Sequence, residues 1–238
     1  MTKVAIVAAL EREVRPLIRN WRMVEREHED KRFKFFEDGA GTVLVCGGIG
    51  EQAARRATEA VIALYRPEIV QSVGFAGALD PALAVGDIVS PGRVTDAKDG
   101  SSVSLGTGNG VLLSFASVAG AGQKSKLAEA YGAQAIDMEA AAVAKSAGSH
   151  GVRFVVTKVI SDEFAFEMLP MDRFVSRNGQ FATASFVGFA VMRPWLWAKV
   201  IRMARRSNKA AKALCSELQR RQNTGLERMP ELDRTLRV

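Results

Sequence analysis

Apolar positions along the chain follow two spacings. Short, almost unbroken apolar runs occur at residues 3–10 (KVAIVAAL), 68–79 (EIVQSVGFAGAL) and 153–164 (RFVVTKVISDEF). Runs of this length predict buried strands. Between them the period lengthens. Val14, Leu17 and Ile18 recur at helical intervals, with Pro16 expected in a first turn. Residues 51–65 predict an amphipathic helix, 125–133 a short helix ending at Gly132, and 138–151 a helix with a glycine stop. RFKFFEDGAGTVLVCGGIG (32–50) predicts a hairpin turning at Asp38-Gly39, and 85–96 a strand with a turn. The Gly/Ser-rich residues 97–123 carry no clear period. Residues 181–192 and 195–222 read as terminal helices, and 226–238 as a frayed end. Strands alternating with helices over short loops predict a three-layer α/β domain.

Composition narrows the class. Hydrophobic residues make up 47% and charged residues 25% of 238 positions, enough for a sizeable core. No apolar stretch is long enough to predict a membrane-spanning helix. The N-terminus reads as a first core strand, not a signal peptide. Two distant cysteines, Cys46 and Cys215, fit a reduced, cytoplasmic setting, and only two histidines argue against a metal site or a histidine triad. The net charge of +7 is uneven: residues 193–238 hold twelve Lys/Arg against four Asp/Glu, leaving the rest near neutral. The chain therefore divides into a body, 1–192, and a basic amphipathic helix and tail, 193–238.

Candidate chemistry sits at the strand ends, where α/β sheets bind ligands. These ends supply Glu11 and Glu13, then Gly47, Gly48 and Gly50, then Gly74 and Gly77, and last Ser161, Asp162 and Glu163. GGIGEQAA resembles a dinucleotide loop, but the next strand ends without the acid such a site requires. Its free N–H groups suit an anion or a sugar oxygen instead. In AIDMEAAAVA (135–144), Asp137 is a natural N-cap for a helix starting at Met138, and Glu139 lies in the first turn. Several carboxylates in one pocket suit glycosidic chemistry, in which one acid protonates the leaving group.

The motifs AALEREV, GGIG, VGFAGALDPALAVGDIV, AIDMEAAAVA and VISDEF resemble, in order and spacing, the purine nucleoside phosphorylase and methylthioadenosine/S-adenosylhomocysteine nucleosidase superfamily, across residues 3–192. The resemblance implies a three-layer αβα sandwich with a mixed central sheet and cleavage of a purine N-glycosidic bond. It implies Asp162 as donor of a proton to N7 of the purine and Glu13 as the residue that positions attacking water. It further implies Glu139 on the ribose hydroxyls, Met138 against the sugar, and the loops around Gly48, Gly50, Phe75, Ala76 and Gly77 framing the ribose, with Ser161 beside the acid. Phe75 stands where many members carry a serine or threonine that contacts the nucleophile, which bears on phosphate as a co-substrate. No other cofactor and no metal are implied. VISDEFAFEMLPMDRFV, followed by RPWLW and a basic helix, is similar to the hopanoid-associated phosphorylase branch, which is associated with releasing adenine from adenosylhopane. That similarity implies a lipid-linked substrate. The alternative is a small-substrate methylthioadenosine/S-adenosylhomocysteine nucleosidase. The basic helix, with tryptophans on its apolar face, suits either packing on the body or peripheral contact with the inner face of a membrane. A nucleic-acid-binding tail would leave the acids unexplained and is not expected. The family implies a homo-oligomer.

Overall fold

The computed structural model describes residues 2–167, 172–174, 176 and 179–224. In chain order the elements are β1 (Val4–Ala8), α1 (Glu11–Ile18), β2 (Arg22–His28), β3 (Lys31–Glu37), β4 (Thr42–Cys46), α2 (Glu51–Tyr65), β5 (Ile69–Ala78), β6 (Ile88–Val89), β7 (Arg93–Asp96), β8 (Ser102–Ser104), β9 (Val111–Ser114), α3 (Ala121–Tyr131), β10 (Ala135–Asp137), α4 (Ala140–Ser149), β11 (Arg153–Asp162), α5 (Thr183–Val191) and α6 (Trp197–Thr224). Short 3-10 turns at Asp172–Phe174 and Pro194–Leu196 flank α5.

The strands form one mixed sheet in the order β2-β3-β4-β1-β5-β10-β9-β7-β8, with β11 on the other edge of β5 and β6 beyond it. β4, β1, β5 and β11 are parallel. Strand β1 shows why. Ala5 and Val7 join the core beneath α2 and α4, whereas Val4, Ile6 and Ala8 join the core beneath α1 and α6. A strand apolar on both sides needs a helix layer over each face. Ala54, Ala57 and Val61 of α2 and Val143 and Ala147 of α4 supply one layer. Val14 and Leu17 of α1 and Ala210, Leu214 and Leu218 of α6 supply the other. This is the expected three-layer sandwich.

One break in the sheet opens the molecule. β1 covers one edge of β5 only from Ile69 to Ser72, and β10 resumes that edge at Gly77. Beside this gap Phe75, Ala76 and Gly77 line a cleft. Helix α6 divides in character: Ala211, Leu214 and Leu218 are buried, whereas Trp197, Ile201 and Ala204 are exposed.

Several expectations shift. Pro16 lies at the sixth residue of α1, because the helix already begins at Glu11. The stretch 97–123 contains β8, β9 and the start of α3. Helix α4 starts at Ala140, not Met138, because Ala135–Asp137 pairs with β9 and β5 and extends the strand. The frayed end expected at 226–238 and part of the MLPMDRFV motif lie outside the described residues.

Candidate active site

The cleft is lined by Glu13 and Arg12 of α1, Ile49, Phe75–Gly77 of β5, Ser117–Ala119, Lys124 of α3, Asp137–Glu139, Ser161 and Asp162 of β11, and Phe181. Eight of the ten expected site residues therefore share one cavity: Glu13, Phe75, Ala76, Gly77, Met138, Glu139, Ser161 and Asp162. Gly48 and Gly50 do not line it. They act one step back. Their positive φ angles of 109° and 94° hold the turn that presents Ile49 to the cleft, and the Gly50 N–H donates to Glu139 Oε1 at 2.8 Å. Those dihedrals favour glycine.

The pairing register of β11 against β5 shifts between Ile160 and Asp162, leaving Ser161 as the extra residue of a bulge. A bulge re-aims side chains that strict alternation would send to opposite faces. Ser161 and Asp162 accordingly both reach the cleft, and the Ser161 hydroxyl donates to Asp162 Oδ1 at 2.8 Å. The other oxygen, Oδ2, accepts from Lys124 Nζ at 2.6 Å, in an ion pair whose lysine is 1% exposed. Lys124 also donates to the Glu163 carbonyl at 2.9 Å. A methyl group at Gly77 would stand 2.8 Å from Asp162 Oδ2 and 3.4 Å from Lys124 Nζ, so the glycine makes room for the pair.

A second buried cation organises the other acids. Lys158 Nζ lies 2.9 Å from Asp137 Oδ2 with both side chains almost wholly buried. Asp137 is held further by the Ser114 hydroxyl at 2.6 Å, and it accepts the Ala140 N–H at 2.8 Å. It therefore satisfies the first turn of α4 from the end of β10, while Glu139 occupies the cap position itself. Glu13 approaches from α1. Its Oε2 is buried with no hydrogen-bond partner among the described residues. A methyl group at Gly74 would lie 2.7 Å from that oxygen.

Charge follows from this packing. Burial pushes the Glu13 carboxyl up to about 7, helped by the nearby Glu139 charge and opposed by Lys158 and Arg12. Glu139 is raised as well, by burial first and then by Asp137. Burial pulls Lys158 down, but Asp137, Glu139 and Glu13 together outweigh it and hold the ammonium above its usual range. The site thus pairs a buried cation with carboxyls poised near neutrality, a pattern suited to proton transfer.

Lys158, Lys124 and Phe181 were not anticipated. Lys158 carried a signal, a lone charge inside the apolar run FVVTKVI. Lys124 carried none, because GQKSKLAEA reads as an ordinary solvated helix start. Arg12 also lines the cleft, with its guanidinium 5.2 Å from the centroid of the Phe181 ring. Arg55 is a surface residue paired with Glu59 at 3.0 Å. Among the described residues no cluster of His, Cys, Asp and Glu is arranged to hold a metal ion.

Residues 3–121 and 107–186 match the profile of the Phosphorylase superfamily. The chain belongs to this superfamily. Among similar members, the 5′-methylthioadenosine/S-adenosylhomocysteine nucleosidase of Actinobacillus succinogenes is 27% identical over 198 residues, covering 67% of this chain and 85% of the relative. The corresponding Marinomonas sp. protein is 33% identical over 97 residues, and the match spans 40% of this chain and only 42% of that relative's length. The crystal structure of S-adenosylhomocysteine nucleosidase from Streptococcus pyogenes, in complex with 5-methylthiotubericidin, superposes with a TM-score of 0.68 at 21% identity, covering 96% of this chain and 98% of that one. That likeness establishes the superfamily fold for the chain.

Proposed function

We propose that this protein is an enzyme that cleaves the N-glycosidic bond of a purine, adenosine-type nucleoside. The observation that carries this reading is the convergence of Glu13, Glu139, Met138 and Asp162 on one cleft at the carboxyl end of the parallel strands. Cleavage needs a proton on the departing base and negative charge near the ribosyl cation. Asp162 is the group that hands a proton to N7. Glu139, anchored by Gly50, faces the ribose hydroxyls, and Met138 packs on the sugar. Glu13, whose buried Oε2 has no donor among the described residues, takes a proton from the attacking water. The relatives named as nucleosidases support this class of reaction.

The substrate is proposed to be a lipid-linked adenosine of the adenosylhopane type. An exposed apolar strip supports this, formed by Val187, Val191, Met192, Trp195, Trp197 and Ile201, each at least half exposed. It runs from α5 through the Pro194–Leu196 turn to the start of α6, beside Lys199, Arg202 and Arg205. Apolar residues flanked by cations suit an anionic bilayer surface, which fits peripheral contact with the inner leaflet. The names of the relatives favour the alternative, a nucleosidase acting on methylthioadenosine or S-adenosylhomocysteine. Phosphate is retained as an optional co-substrate, and a homo-oligomer is the proposed assembly.

A product assay separates these readings. Adenosine, methylthioadenosine, S-adenosylhomocysteine and a lipid-linked adenosine are each incubated with and without phosphate. The proposal predicts adenine release, fastest from the lipid-linked substrate. Faster turnover of methylthioadenosine selects the alternative, and a ribose 1-phosphate product marks phosphorolysis.

A further inference from the structure

Lys124 has no role in the reading above, yet it is among the most buried side chains of the molecule. Its position is costly on two counts. An ammonium excluded from water needs a close partner. It also sits in the first turn of α3, where its N–H bonds the Gly120 carbonyl and where the helix dipole disfavours a cation. Lys124 lines the active-site cleft and contacts Asp162 at 2.6 Å. Both oxygens of Asp162 accept hydrogen bonds, one from Ser161 and one from Lys124. A carboxyl so surrounded is arranged as an acceptor, whereas a leaving purine requires a donor. Of the two groups that hold it, only Lys124 is ionisable.

We infer that Lys124 is the proton source for the leaving purine, acting through Asp162. This rests on the nucleosidase reading. The step balances as follows. The C1′–N9 bond breaks and its electron pair goes to the purine. A proton moves from Lys124 Nζ to the Asp162 carboxylate and on to N7, leaving the lysine as a neutral amine. Water forms the new C1′–O bond and gives a proton to Glu13. The proton gained at Glu13 equals the one lost at Lys124, and exchange with solvent restores both as the products leave. Lys124 is thus a positioning and proton-supplying residue and does not itself touch the base.

The test compares two leaving groups. Adenine must be protonated to leave, whereas 4-nitrophenolate leaves from 4-nitrophenyl β-riboside without a proton. K124M is expected to lower adenosine-type cleavage by about 100-fold or more. It is expected to change aryl riboside cleavage by less than about fivefold. K124R keeps a cation beside Asp162 and guards against misfolding of the methionine variant. Arginine does not give up its proton, so K124R should show the same split. Equal losses on both substrates, or restored adenosine cleavage in K124R, would overturn the inference. A wild-type protein that cleaves no purine nucleoside would instead sink the nucleosidase reading itself.

Discussion

At the scale of single residues, the site depends on carboxyls that burial keeps near neutrality. Glu13 is the clearest case, raised from the usual 4.5 to about 7. The folded protein prefers its protonated form. That preference contributes fully below pH 4.5 and is lost as pH rises through about 7. E13Q should therefore be more stable than wild type at pH 8, by up to about 3 kcal/mol, and the two should converge at pH 4. Urea denaturation at both pH values checks this, and an equal difference at both would count against it. If ionised Glu13 is the base, wild-type kcat/KM should rise through about pH 7, and E13Q should lose that limb. Gly74 belongs to the same device. Its φ of 141° and the nearby Glu13 oxygen leave no room for a side chain. G74A should displace Glu13 and lower activity at least tenfold, an effect of roughly 1.4 kcal/mol on the barrier, measured as kcat/KM.

At the scale of elements, two local irregularities assemble the site: the bulge in β11 and the late start of α4. Both were only partly legible. VISDEF marked Asp162, but a bulge has no sequence code beyond a polar residue at the end of an apolar run. AIDMEAAAVA marked two acids, and their separation into different jobs was expected. The boundary was misplaced by two residues, because Asp137 is held in β10 by Lys158 and Ser114, partners remote in sequence. Strand β2 was also missed, since RMVEREH is a mostly exposed edge strand with little apolar content to register. The Lys158–Asp137 pair makes a firm prediction. K158M leaves Asp137, Glu139 and Glu13 buried without their shared cation and should cost about 3–5 kcal/mol. Chemical denaturation at pH 8 measures this, and a loss under 1 kcal/mol would show the pair to be dispensable.

At the scale of the molecule, the strands legible as almost unbroken apolar runs, β1, β5 and β11, are largely buried along their length. Their apolar runs persist because two helix layers cover them. Charge distribution was legible as a basic C-terminal segment, but not how that segment is used. The second half of α6 is part of the core and packs on α1, the helix that carries Glu13. L214A should therefore destabilise the whole fold by about 2–5 kcal/mol, read as a lowered Tm. Contact with anionic vesicles should depend instead on the exposed strip. M192S/W195S, at the two most exposed positions of the strip, should abolish co-sedimentation while leaving Tm nearly unchanged, and binding that survives would refute the membrane contact. The effects on activity presuppose one chemistry in the cleft. The most direct test is single-turnover release of adenine from an adenosine-type nucleoside by wild type and D162N. Wild type should release adenine, and D162N should bind the nucleoside yet release the base at least about 100-fold more slowly. Equal rates in the two proteins, or no base released by wild type, would contradict the assignment.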